Sequence, residues 1–211
     1  KGLLYNYNLP ILATHCKHME THNLNSPSYW VKRFQPLIPH KGKVLDLAAG
    51  SGRHAYYLLN KGYRVVAVDK NIVPLQFLTK YPAAEIVEAD LENGLNYSFD
   101  GKEFDGILVS NYLHRPLLEP LLRALTPSGI FIYETFARGN EIYNRPRNPN
   151  YLLCSSELIK LVETKLQIIA YEHGIIQTEA GLRVKQRICA SNTLKTSSRS
   201  DKNPDPHYLF P

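Results

Sequence analysis

The chain reads as an α/β domain built on a doubly wound, mostly parallel sheet. Three observations predict this. Short β-branched runs alternate with amphipathic segments. The runs are continuously apolar, as in strands covered on both faces. A glycine-bearing loop joins the first run to the first amphipathic segment. The 211 residues suit one domain with appendages.

The elements follow in order. Ser28–Phe34 predicts an N-terminal helix, with Tyr29 and Trp30 as core or as substrate contacts. Lys43–Ala48 (KVLDLA) is a buried strand and Arg53–Asn60 a helix. Arg64–Val68 (RVVAV) is β-branched and strand-like. Ile72–Lys80 reads as a helix, with Pro74 tolerable in its first turn. Glu85–Glu88 and Phe104–Ser110 are strands. Leucines at 117, 118, 121, 122 and 125 give Pro116–Leu125 an apolar helical stripe. Thr126–Gly129 is a turn, and Ile130–Thr135 a strand. Ala137–Leu153 shows no evident element and has the length of a functional lid. Ser155 or Ser156 is expected to cap a helix running to about Thr164. Leu166–Tyr171 and Leu182–Ala190 are the last strands, joined through His173–Gly181 as an antiparallel pair.

Residues 1–22 read as a poorly ordered extension, 23–190 as the domain and 191–211 as a flexible tail rich in Ser, Asn, Asp and Pro. The single methionine, Met19, resembles a natural start, so residues 1–18 are expected to be an upstream extension or a remnant. No run approaches the ~18 apolar residues of a membrane span. Cys16, Cys154 and Cys189 are odd in number and widely spaced, which opposes both a disulfide framework and a cysteine metal site. A cytoplasmic protein with reduced thiols is the expectation. The net charge of +6 is concentrated at the ends; residues 41–190 hold eighteen Lys/Arg against sixteen acids, without a basic stripe.

Ligands of such sheets bind beyond the carboxyl ends of the strands. There, Asp46–Gly52 (DLAAGSG) joins the first strand to the first helix. Gly50 and Gly52 permit a tight turn and close backbone approach. With Ala55 they satisfy the relaxed dinucleotide fingerprint. Asp69 ends the second strand, where its carboxylate can accept from both hydroxyls of a ribose. Loop and acid together predict a nucleoside site, NAD-like or of another kind. Asp46 precedes the glycines, opposes a pyrophosphate and suits an amine-bearing ligand. Asp90 ends the third strand, as an acceptor for the adenine amine or as a solvated turn acid.

VLDLAAGSGRHA, VVAVDKN, VEADLENG, FDGILVSNYLH and LTPSGIFIYETF, spanning about 43–136, resemble the motifs of class I S-adenosylmethionine-dependent methyltransferases. GSGRHAYYL and VDKN resemble, more finely, small bacterial members related to the tellurite-resistance group. The resemblance implies a Rossmann-like sheet of order 3-2-1-4-5-7-6 with the last strand antiparallel. It implies S-adenosylmethionine as cofactor and S-adenosylhomocysteine as product. Asp46 and Gly50 would meet the methionine part, with Gly52 supporting the turn. Ala48 replaces a family glycine, which is tolerable if its φ is negative. Asp69 would hold the ribose, Lys70 flank the adenine, and Asp90 and Leu91 contact its edge and face. Asn111 and Tyr112 would lie by the transferred methyl group.

Methyl transfer is an in-line displacement that depends mainly on alignment. Tyr112 and His114 are the catalytic candidates; the bland readings are a pocket wall and a helix-start histidine. Glu134 orders a substrate amine or serves as a structural acid. Arg115, Arg138, Arg145 and Arg147 are candidates for an anionic substrate, against a reading as solvated or packed loop residues. A small-molecule or anionic acceptor is the first expectation. RNA or protein as acceptor is the second, motivated by the arginine loop. The Pro-Pro pair of amino-adenine methyltransferases is absent after Asn111. A non-catalytic nucleoside-binding scaffold is the reading from another class.

Overall fold

The computed structural model describes residues 26–93, 98–178, 180–193, 199–201 and 203–209. The expected extension over 1–22, Met19 and Cys16 lie outside the described residues. Seven strands form one sheet in the order β3-β2-β1-β4-β5-β7-β6. They are β1 Lys43–Leu47, β2 Arg64–Asp69, β3 Ala84–Glu88, β4 Phe104–Ser110, β5 Leu125–Phe136, β6 Gln167–Thr178 and β7 Gly181–Ser191. β1 to β5 pair in parallel, and β7 runs antiparallel to both β5 and β6. The expected order and the expected reversal of the last strand are both present.

The helices are α1 Tyr29–Phe34, α2 Arg53–Asn60, α3 Leu118–Arg123, α4 Asn140–Tyr143 and α5 Glu157–Val162. Strand alternation splits the core in two. Leu45, Leu47, Val66, Val68 and Ile107 face α3 and α5. Val44, Val65, Ala67, Leu108 and Ile132 face α1 and α2. On that second face, α1 is anchored by Trp30, fully buried, whose indole N–H donates to the Ile188 carbonyl at 3.1 Å. Ser28 caps α1 by accepting from the Trp30 N–H.

Four expectations are corrected. The segment expected as an α-helix after β2 is a 3₁₀ helix, Val73–Lys80, which aligns the buried Leu75 and Leu78 at its three-residue repeat. The expected turn Thr126–Gly129 is absorbed into β5 by a register shift against Phe104–Gly106, with Thr126 Oγ1 donating to Phe104 O. The His173–Gly181 connection is mostly strand: Ile175 pairs with Val184 and Ile176 with Arg183, so β6 and β7 form a long hairpin. Ser156 stands at φ 60° before α5 and caps no backbone donor.

The 137–153 segment also carries more order than expected. It contains α4, a 3₁₀ turn Pro149–Tyr151 and a bridge between Ala137 and Leu153. Fully buried Asn140 holds it together, donating to the carbonyls of Asn144 and Pro146 and accepting from Val184 N–H. In the tail, Gln167 donates to the Asp205 carbonyl at 3.0 Å. No helix among the described residues is long and apolar enough to cross a membrane.

Candidate functional site

Three cavities adjoin along the carboxyl edge of the parallel strands. The first, about 230 Å³, lies between the ends of β2 and β3 and the loop after β1. It is lined by Ala48, Asp69, Lys70, Asp90, Leu91 and Tyr112, among others. The second, about 220 Å³, shares Glu92 and Tyr112 with the first and adds Leu113, Thr135 and Tyr151. The third, about 520 Å³, shares Asn111 and Phe136 with the second and opens between α1, α2 and β7.

The glycine loop is shaped by its backbone. Gly50 and Gly52 adopt φ 57° and 76°. A Cβ on Gly50 would meet nothing within 4 Å, so its exposed face is open to a ligand. Ala48 stands at φ 54°, against the negative φ expected, and so carries left-handed strain where the family has glycine. Asp69 accepts from Gly50 N–H through Oδ2 at 2.8 Å and from Asn71 N–H through Oδ1 at 3.0 Å. Both oxygens keep a second lone pair for a ligand hydroxyl. Asp90, exposed, accepts from Glu92 N–H, while Leu91 beside it is buried.

Asp46 has a different place from the one its motif suggested. It lies on the α2 side of β1, 1% exposed, and is absent from the linings of these cavities. Its Oδ2 accepts from Ala55 N–H at 2.9 Å, satisfying an orphan donor in the first turn of α2 that Gly52, lacking a side chain, cannot. Burial raises its pKa to about 7, against the lowering influence of the Ala55 hydrogen bond and Arg53. Next to it, His54 is buried and accepts from Ser28 N–H through Nε2 at 3.2 Å. Burial, followed by Arg53, lowers its pKa to about 3, so the ring is neutral.

Tyr112 is half-buried, and its hydroxyl is buried without a hydrogen-bond partner in the described structure. Desolvation, then Glu92, Asp90 and Asp69, pushes its ionisation well above the usual phenol range. It is a neutral donor at the meeting of two cavities and not a base. His114 lies outside the cavity linings; its carbonyl accepts from Leu117 N–H.

The four arginines singled out from sequence are placed elsewhere. Arg115 donates to both oxygens of Glu157 and to the carbonyls of Asn150 and Leu152. It is a clamp that fixes the 137–153 segment against the start of α5. Arg138, Arg145 and Arg147 are exposed and line none of these cavities.

Among the described residues, the cations that line the large cavity are Arg53 on α2 and Arg183, Lys185 and Arg187 on β7. Because β7 runs antiparallel, its first half lies at the same edge as the ends of β4 and β5. Its odd-numbered residues point to the α1/α2 side, as Cys189 in that core shows. Spacing at i, i+2 and i+4 on the last strand was the available signal. Glu134, 1% exposed, forms the floor: it accepts from Ser110 Oγ and sits 3.2 Å from Arg187 Nε and 3.7 Å from Lys185 Nζ. Burial opposes its charge, yet Lys185, Ser28 and Arg187 together hold its carboxyl below the usual range. Lys185 also donates to Asn111 Oδ1 at 2.7 Å, and burial lowers its pKa. Among the described residues, no cluster of His, Cys, Asp and Glu is fit to hold a metal ion.

Comparison with known proteins agrees with this geometry. A family described as "Methyltransferase domain" matches residues 44–129. A demethylmenaquinone methyltransferase of Clavibacter sepedonicus is 30% identical over 152 residues, 64% of this chain and 58% of the relative. The chain spans about half the length of the curated relatives it matches. TehB from Haemophilus influenzae superposes with a TM-score of 0.61 at 17% identity, covering 77% of this chain and 61% of that one. The Burkholderia thailandensis 1,6-didemethyltoxoflavin-N1-methyltransferase, solved with 1,6-didemethyltoxoflavin and S-adenosylhomocysteine, gives 0.56 at 20% identity, covering 77% and 76%. Residues 44–129 thus match a methyltransferase domain, and the sheet order with its reversed last strand is the fold of the class I S-adenosylmethionine-dependent methyltransferases, with a nucleoside-sized hollow beside Asp69.

Proposed function

We propose that the chain binds S-adenosylmethionine along this trough and directs its methyl group to a small-molecule acceptor. The observation that carries the reading is the joining of the three cavities at Asn111 and Tyr112, with carboxylates at one end and cations at the other. When bound, the cofactor supplies a methyl carbon on sulfonium sulfur, whose bond electrons return to sulfur as the acceptor's lone pair bonds the carbon. Asp69 would take the ribose hydroxyls, pre-oriented by the Gly50 and Asn71 N–H groups. Leu91 would cover the adenine face and Asp90 its edge, with Lys70 flanking. Tyr112 would donate a hydrogen bond to the ligand through its orphaned hydroxyl. Gly50 would pass beneath the methionine part, with Ala48 and Gly52 shaping the turn. Asp46 would act on this turn through the start of α2.

Alignment is the main catalytic contribution such a site makes, since the leaving group is already good. Asn111, held by Lys185, and Phe136 stand where the cofactor and acceptor cavities meet. The large cavity is of metabolite size, and the toxoflavin enzyme supports a small acceptor. A cytoplasmic setting, with Cys154 and Cys189 as thiols, belongs to the same reading. The test uses methyl-tritiated S-adenosylmethionine with separate pools of small metabolites, RNA and protein. Label is expected in the metabolite pool and strengthened by protein concentration. Label appearing only in RNA or protein contradicts the small-molecule acceptor.

A further inference from the structure

We propose that the acceptor is bound as an anion, through a carboxylate or phosphate group held between Arg183, Lys185 and Arg53 in the large cavity. This rests on reading the trough as a S-adenosylmethionine site. Among the described residues, four cations line the cavity against one carboxylate, Glu134. Arg187 is committed: it lies against Glu134 at 3.2 Å and Glu172 at 3.3 Å, and its guanidinium stacks on Trp30. Glu134 is therefore shared between Arg187 and Lys185. Arg183 is only 9% exposed, yet among the described residues its guanidinium donates only to the Leu182 carbonyl, and it makes no ion pair. Arg53 reaches the Ser26 carbonyl and Ser110 Oγ, both neutral. A guanidinium withdrawn from water as Arg183 is, without an anion beside it, is costly until an anion joins it.

The cofactor deepens the imbalance. Its methionine end is a zwitterion and would add no net charge, but its sulfonium would bring one positive charge to the trough. Coulomb attraction for an anion is thus strongest before transfer and falls once sulfur becomes a neutral thioether. The same site would hold an anionic substrate with the reactive cofactor and release the product afterwards. Phe136 and Ile176 provide apolar wall beside the cations, so the anion is expected on an apolar or aromatic body.

The probes are phenyl phosphate and benzoate, titrated calorimetrically into protein saturated with S-adenosylhomocysteine or with sinefungin, whose ammonium mimics the sulfonium. Both probes should bind, about tenfold tighter with sinefungin. The tighter of the two identifies phosphate or carboxylate as the native group. Arg183→Gln should weaken probe binding about tenfold or more, with S-adenosylhomocysteine affinity unchanged, while exposed Arg138→Gln changes neither. Ile176, cross-strand from Arg183, gives a second variant: Ile176→Glu supplies an internal carboxylate and should abolish probe binding, whereas Ile176→Gln should keep it. The proposal is overturned if neither probe binds, if Arg183→Gln and Ile176→Glu bind as well as wild type, or if Arg183→Gln weakens the cofactor product equally. Failure of both cofactor analogues to bind removes the underlying reading, and the acceptor assignment with it.

Discussion

The two ends of the trough are built on opposite plans. The hollow by Asp69 and Asp90 is small, acidic and assembled from consecutive βα units within 48–112. The hollow by Arg183 and Lys185 is more than twice as large, basic, and assembled from α1, α2 and the last hairpin. In the first, the lining side chains come from strand ends and loops whose backbone geometry fixes them. In the second, one buried carboxylate, Glu134, is shared between Lys185 and Arg187. The first should therefore respond to mutation as a binding site, and the second as a coupled electrostatic network.

Asp69→Ala should have the largest effect. It removes two charge-assisted acceptors for the ribose and frees the loop, and is expected to weaken S-adenosylhomocysteine about a thousandfold in calorimetry. Equal binding would break the assignment of the acidic end. Glu134→Gln should leave the basic end uncompensated and lower stability by about 3 kcal/mol in denaturant unfolding. A stability loss below about 1 kcal/mol would show that the network is not coupled as described.

Between the two ends lie Asp46 and His54, which give opposite pH dependences. The folded pKa of Asp46, about 7, lies above its unfolded 3.8. Its stabilising contribution is full below about pH 4 and is lost as pH rises through about 7. His54 is lowered from 6.5 to about 3, so its contribution is full above pH 6.5 and is lost on acidification toward 3. Wild type and Asp46→Asn should therefore diverge in stability between pH 4 and 8, and wild type and His54→Gln between pH 7 and 3. Parallel curves would contradict the burial that shifts these groups.

Smaller effects sharpen the contrast further. Ala48→Gly relieves the left-handed strain and should stabilise by about 1 kcal/mol, or about 2–4 °C in Tm. Arg145→Gln and Arg147→Gln, both exposed, should change stability by less than about 0.5 kcal/mol.

The same contrast explains what was legible in the sequence. Asp69, Asp90 and the glycine loop sit at strand ends set by local hydrophobic patterns, so their positions followed from spacing. Sheet order followed from resemblance and held. The basic end depends on an antiparallel strand folding back next to β5, which brings Arg187 opposite Glu134 from more than fifty positions away. Local pattern carries no such pairing, whereas the arginines of the 137–153 segment stand together in the sequence. Arg115 shows the limit most clearly: a guanidinium beside a proline has the same local sequence whether it binds substrate or clamps Glu157. Asp46 precedes the glycines in sequence, but strand alternation directs its side chain toward the helix start.

The central claim is tested most directly by titrating the protein calorimetrically with S-adenosylmethionine, S-adenosylhomocysteine and NAD, alongside Asp69→Ala. Both methionine nucleosides should bind at one site, the variant should lose that binding, and NAD should give no signal. Absence of methionine-nucleoside binding, or binding indifferent to Asp69, would contradict the claim.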